Sequence, residues 1–190
     1  MIEDSPPTLP AKSVVMIGLM GAGKTNIGRR VARRLGLPFI DADAEIVKAA
    51  GRSVADIFET LGEAAFRDGE RKVIARLLDG DRQVLATGGG AFMNAETRAH
   101  IRERGISVWL RADLDLLVER TSRRDGRPLL KNRDIRATLA ELMTERYPVY
   151  AQADIIVDTS SEPPETTADR VLTALAAFTD REGRRPEPPS

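Results

Sequence analysis

The sequence predicts an α/β fold, a three-layer sandwich in which helices cover both faces of a five-stranded parallel sheet. Three observations carry that prediction. Five short apolar runs alternate with helical patterns from Ser13 to about Phe178. The first run leads through a glycine-rich turn directly into a helical pattern. The next two runs end in acidic and glycine residues suited to binding rather than to packing. Strands separated by helices pair in parallel, and ligands then bind beyond their C-terminal ends.

The first strand, Val14-Val15-Met16-Ile17, runs into Gly18-Leu19-Met20-Gly21-Ala22-Gly23-Lys24-Thr25 and a helix from Asn26. Strand, glycine loop and helix start form the context of a phosphate-binding loop. Its glycines permit positive φ and close backbone approach, and the helix start adds unpaired N–H donors and a positive dipole end. Lys24 is placed to reach the β- and γ-phosphates, and the Thr25 hydroxyl to ligate Mg²⁺. A plain glycine turn does not account for Gly-Lys-Thr at a helix start. Arg29, Arg30, Arg33 and Arg34 read as the solvated face of that helix.

The second strand, within 37–43, ends in Asp41 and Asp43. Two apart on an extended segment, they share a side. One carboxylate suits a water-mediated Mg²⁺ shell beside Thr25 and the other an acceptor hydroxyl. The alternative is a solvated pair capping a helix from Ala44. Helical patterns follow at about 44–50, 54–61 and 63–78. In the last, Arg67 and Glu70 stand at i,i+3, where an ordinary surface pair contributes ~0.2–0.5 kcal/mol. By spacing that bland reading is preferred over Glu70 holding the Arg67 fork toward an anion. The third strand, 84–87, ends in Gly88-Gly89-Gly90, whose backbone N–H groups allow close contact with a bound molecule. We expect them to face the acceptor, because the first loop already cradles phosphate.

A helix near 95–104 leads to the fourth strand, 107–110, and Asp113 caps the next helix. An acid after an apolar strand resembles a metal-binding carboxylate, but its position ahead of Leu114 makes it a cap. Arg123, Arg124, Arg127, Lys131 and Arg133 then crowd a segment with Gly126 and Pro128. It reads either as a solvated basic loop or as a mobile lid, about 123–133, that brings an arginine onto the transferred phosphate and excludes water. A helix at 134–150, a fifth strand at 154–157 and a last helix at 165–178 complete the domain, expected to span 13–179. Residues 1–12 and 180–190, rich in proline, are expected to be disordered extensions.

Composition excludes several alternatives. Lys+Arg and Asp+Glu are both 29, so no net basic field favours nucleic acid. The aromatic share is 4%, too small for repeated base-stacking platforms. Without cysteine there are no disulfides or thiolate nucleophiles, and His100 is the only histidine, which makes a multi-histidine zinc site improbable. It reads as an exposed helix residue. No signal peptide or membrane span is apparent, so a cytoplasmic protein is the default.

The ordered set GLMGAGKT, FIDAD, FRDGE, TGGGA, GRPLL and ERYPVY resembles the shikimate kinases, small P-loop kinases of the nucleoside monophosphate kinase-like class. The resemblance covers about Val14 to Phe178. It implies a P-loop NTPase fold with a mobile lid, a monomer, and Mg²⁺-dependent transfer from ATP to the 3-hydroxyl of shikimate. By motif, Gly21, Ala22, Gly23, Lys24, Thr25 and Asn26 would hold ATP, with Thr25 a direct and Asp41 a water-mediated metal ligand. Asp43 would meet the shikimate hydroxyls, with Lys24 and Arg127 the other catalytic residues. Arg67 and Arg146 would clasp the shikimate carboxylate, and Gly88, Gly89 and Gly90 would supply backbone contacts. Arg120 would lie near adenine and Arg127 on the ATP phosphates. The resemblance reverses the reading of Arg67, because a carboxylated acceptor needs paired guanidinium donors. The segment 158–162 lacks the arginine that some members place near adenine. A related small-molecule kinase, such as a gluconate kinase, is the alternative enzyme. A nucleotide-dependent switch is the alternative class, and Lys131-Asn132-Arg133-Asp134 only scrambles the guanine-reading NKxD motif that a switch would carry.

Overall fold

The computed structural model describes residues 10–123 and 134–183. Five parallel strands form one sheet: β1 (Ser13–Ile17), β2 (Phe39–Asp41), β3 (Val84–Ala86), β4 (Gly105–Arg111) and β5 (Ile155–Asp158), in the order β2-β3-β1-β4-β5. The helices are α1 (Lys24–Leu35), α2 (Ala42–Ala50), α3 (Val54–Leu78), α4 (Ala95–Arg104), α5 (Leu114–Ser122), α6 (Ile135–Tyr150) and α7 (Pro164–Gly183). Strand composition follows position. The central strand β1 is buried at every residue and β4 at all but Arg111, so both read as apolar runs, whereas the edge strand β5 alternates buried and exposed.

Helix boundaries have local causes. Ile27, Val31 and Leu35 put one stripe of α1 into the core, and Gly36 at φ 64° stops it. Ser53 and Asp56 form a reciprocal capping box at the start of α3. The break expected between two helical stretches lies at Gly62, whose φ 84° and ψ 171° interrupt α3. Asp113 caps α5, accepting from Leu116 N at 2.8 Å, as its position implied. His100 lies on α4, half-buried and 3.1 Å from Asp79.

Three expectations change. Asp43 does not lie on an extended strand: β2 ends at Asp41, and Asp43 sits in the first turn of α2. Arg30 and Arg34 are not simply a solvated face, because they pair with Glu165 and Asp169 and tie α1 to α7. Residues 180–183, expected in a disordered tail, continue α7, and Pro10, at the start of the described chain, is buried and accepts from Arg82. Among the described residues no helix is long and apolar enough to cross a membrane.

The sheet's register sets the site. Met16 of β1 pairs with Ala86 of β3, and Ala86 also pairs with Asp41 of β2. The three strands therefore end level, and the segments that follow them emerge side by side. Next to this main core, Ile46, Ile57, Phe66 and Val73 form a smaller cluster that joins α2 to α3.

The Gly62 break yields a prediction of sign. Its φ/ψ region is essentially glycine-only, although no atom lies within 4 Å of an added Cβ. Gly62→Ala is expected to lower unfolding free energy by about 1–3 kcal/mol in urea titrations. A gain in stability would show that α3 straightens and takes up the higher helix propensity of alanine.

Candidate active site

The first group of site residues surrounds the loop between β1 and α1. Gly18, Gly21 and Gly23 have φ of 154°, 84° and 99°, all unfavourable to side-chain-bearing residues. Neighbours close the same positions. A Cβ on Gly18 would lie 2.9 Å from the Leu110 carbonyl, and one on Gly21 would lie 2.9 Å from Thr121 Oγ1. The Lys24 ammonium donates to Gly18 O at 2.7 Å and Leu19 O at 3.0 Å, so it is held within the turn of the loop. Asn26, exposed, accepts from Arg30 through both its backbone carbonyl and its side chain.

Arg120 supports the loop from outside. Its Nη1 reaches Gly21 O (3.3 Å), Ala22 O (3.4 Å) and Thr159 Oγ1 (3.3 Å), and its Nη2 reaches Ser160 O (2.6 Å). This guanidinium joins the phosphate loop to the segment after β5, a link that sequence spacing did not reveal.

Asp41 plays two parts. Its Oδ1 accepts from Asp43 N (3.0 Å) and Ala44 N (3.3 Å) and caps α2, while Thr25 Oγ1 donates to Oδ2 at 3.4 Å. The capping alternative thus holds for one oxygen, and the other faces Thr25. A hydroxyl and a carboxylate at the mouth of a phosphate loop are hard oxygen donors that fit Mg²⁺. Among the described residues no group of three or more His, Cys, Asp or Glu forms a cage. A few protein oxygens completed by water and phosphate is the usual Mg²⁺ arrangement.

The second group surrounds the three glycines after β3. A Cβ on Gly88 would lie 2.9 Å from Glu70 Oε1 and 3.0 Å from Asp43 Oδ1. One on Gly89 would lie 2.9 Å from Arg146 Nη1, and one on Gly90 would overlap the Arg67 guanidinium. Two carboxylates and two guanidiniums from α2, α3 and α6 therefore converge on one backbone turn. Any side chain there would displace them. The Gly18 carbonyl is only 3.5 Å from that same Gly89 position, so the two groups of residues meet.

Glu70 corrects the reading of a surface pair. It is 3% exposed and accepts from Arg67 Nη1 at 2.7 Å through Oε2, while Oε1 has no partner among the described residues. Buried Arg146 Nε also has none. Burial pushes the Glu70 carboxyl above its ordinary range, against the opposing pull of Arg67. A helical signal for this burial exists, since Glu70 lies at i+4 from Phe66 and i−3 from Val73, both buried. The structure also adds Tyr150, whose hydroxyl donates to Gly89 O and whose ring packs on Trp109 and Phe92. The expected lid with Arg124, Arg127, Lys131 and Arg133 lies outside the described residues, save Arg123, which pairs with Glu119 at 2.7 Å.

Comparison with known proteins accords with this arrangement. The family model described as shikimate kinase matches residues 20–176. The chain belongs to the shikimate kinase family. A shikimate kinase of Paramagnetospirillum magneticum is 58% identical over 171 residues, covering 90% of this chain and 88% of the relative. One of Caulobacter vibrioides is 55% identical over 175 residues, covering 92% and 88%. Among solved structures, the shikimate kinase from Acinetobacter baumannii in complex with shikimate superposes with a TM-score of 0.84 at 37% identity, covering 90% of this chain and 95% of that one. The fold is thus that of a P-loop kinase, and ATP dependence implies a divalent cation.

The buried acid of this family site gives a pH signature. A carboxyl with a higher pKa folded than unfolded binds more protons in the native state, so it lowers stability as pH rises through and above the ordinary glutamate range. Glu70→Gln removes that dependence. In thermal melts from about pH 4 to about pH 8, the variant is expected to gain stability relative to the parent as pH rises. The opposite trend would mean that the Arg67 ion pair outweighs the cost of burial.

Proposed function

We propose that this chain transfers the γ-phosphoryl group of ATP to the 3-hydroxyl of shikimate, giving shikimate 3-phosphate and ADP on the route to chorismate and aromatic amino acids. The observation that carries this reading is the set of charged groups around Gly88–Gly90. Arg67 and Arg146 form a paired cationic grip for a carboxylate, and Asp43 offers an acceptor for hydroxyl donors. Membership of the shikimate kinase family supports the same acceptor.

In this mechanism the loop amides from Gly21 to Asn26 cradle the ATP phosphates, and Lys24 offsets charge on the β- and γ-phosphoryl groups. Thr25 directly, and Asp41 through water, would hold Mg²⁺, which would neutralise phosphate charge. Asp43 accepts a hydrogen bond from the acceptor hydroxyl and orients it in line with the γ-phosphorus. The new O–P bond forms as the bond to ADP breaks, with no phosphoenzyme, and the hydroxyl proton passes late to Asp43 and from there to solvent. A loose transition state needs little base assistance, so positioning by Asp43 is the larger contribution. Arg67 and Arg146 bind the carboxylate, with backbone contacts from Gly88, Gly89 and Gly90. By motif, Arg127, outside the described residues, would complete charge stabilisation, and Arg120 would border the adenine. A cytoplasmic monomer is the reading that the family resemblance supports.

ADP release from purified protein, compared with shikimate, with gluconate and with no acceptor, tests the reaction. Strong stimulation by shikimate alone is expected; stimulation by gluconate, or turnover indifferent to any acceptor, favours the alternatives. Lys24→Ala is expected to abolish turnover, and near-normal ADP release from it would remove the loop from the mechanism. Arg67→Ala should weaken shikimate binding by about 1.5–3 kcal/mol and leave ATP affinity nearly intact. Calorimetry showing ATP binding lost and shikimate binding unchanged would reverse the assignment of the two half-sites.

A further inference from the structure

Three consecutive glycines have no side chains to fix their peptide planes, yet an acceptor-binding turn needs its amides aimed. The structure closes two of the carbonyls internally. Gly88 O accepts from Ala91 N at 3.2 Å, and Gly90 O accepts from Met93 N at 3.1 Å. The Gly89 carbonyl is instead taken by a side chain from another element, the Tyr150 hydroxyl at the end of α6. Arg146, one helical turn earlier, reaches the same place: a Cβ on Gly89 would lie 2.9 Å from Arg146 Nη1 and 3.6 Å from the Tyr150 hydroxyl. Tyr150 is 0% exposed, and its ring is held edge-on to Trp109 at 5.7 Å and against Phe92 at 6.4 Å.

We propose that Tyr150 is a positioning residue for the acceptor: its hydroxyl, donating to Gly89 O from the helix that also carries Arg146, locks the glycine turn and the α6 guanidinium into one binding surface. A trans peptide is planar, with N–H opposite C=O. Anchoring the Gly89 carbonyl on the α6 side therefore turns the Gly90 amide away from α6. Arg146, on the same helix, is thereby held in place relative to that peptide. Burial pushes the phenol up to about 12, so the hydroxyl keeps its proton and donates throughout the neutral range. The packed ring gives the hydroxyl little freedom to leave.

Tyr147 provides an internal comparison. It stands on the same helix and packs on Trp109 at 4.8 Å, but its hydroxyl donates to Ala112 O at 2.5 Å, in the segment after β4 rather than in the glycine turn. Tyr147 and Tyr150 thus both tie α6 down, and the Tyr150 hydroxyl bond lands on the acceptor turn.

The inference rests on the reading that shikimate binds against this turn, and the test separates the two. Calorimetric titrations with shikimate and with ATP are run on the parent protein, Tyr150→Phe and Tyr147→Phe, alongside steady-state kinetics and thermal melts. Tyr150→Phe keeps the ring and is expected to raise the shikimate Kd and KM about tenfold, the size of losing one orienting hydrogen-bonding group, with ATP affinity within about twofold. Tyr147→Phe is expected to lower the melting temperature while leaving shikimate KM unchanged. Reversible partial unfolding would weaken ATP and shikimate binding by the same factor, so a loss confined to shikimate is not a stability effect. Shikimate affinity in Tyr150→Phe within twofold of the parent, or equal weakening of ATP and shikimate, overturns the positioning role. Absence of shikimate binding by the parent protein overturns the acceptor reading itself, and the inference with it.

Discussion

The parallel pairing of β1 with β3 is the constraint on which the rest of the site depends. These strands are not consecutive, and β2 is carried past β3 to the sheet edge. Thr87 reinforces the join, donating to Met16 O from its backbone N at 3.3 Å and its hydroxyl at 3.2 Å. The phosphate loop and the glycine turn therefore leave the sheet as neighbours, with Asp41 level beside them. Loops that leave adjacent strand ends are the usual place for ligands in an open parallel sheet.

Around that junction the two halves are stabilised differently. The phosphate loop relies on backbone conformation, with glycines at positive φ pressed against Leu110, Thr121 and Leu117. Arg120 and the bonds from Arg30 and Arg34 to α7 brace its helix and loop from outside. The acceptor half relies on charge. Burying Glu70 costs solvation free energy that the Arg67 bond only partly offsets, so its carboxyl keeps a raised pKa. Incomplete pairing on the acceptor side suits groups that gain partners when a substrate binds.

Much of this was legible in the sequence because it depends on short-range rules. The five strands, the helix break at Gly62, the Asp113 cap and the phosphate loop all follow from periodicity, glycine conformation and capping chemistry within a few residues. The ordered motifs also identified the family. The local rules misplaced Asp43 by extending β2 too far, because Asp41 both ends the strand and caps α2. They read Arg67 and Glu70 as a surface pair, because i,i+3 spacing carries no information about what covers the helix. They gave Tyr150 no role, because its partners Gly89 and Trp109 lie far away in the chain.

The sequence by itself determined the fold class, the donor loop and the chemical types available at the acceptor side, since each follows from residue chemistry and spacing within single elements. Strand order, the burial of Glu70, the bracing by Arg120 and the convergence of Asp43, Arg67, Arg146 and Tyr150 on Gly88–Gly90 were decided only by the tertiary structure. Those features arise from contacts between elements distant in sequence, and their energies depend on mutual burial and orientation that no local pattern encodes.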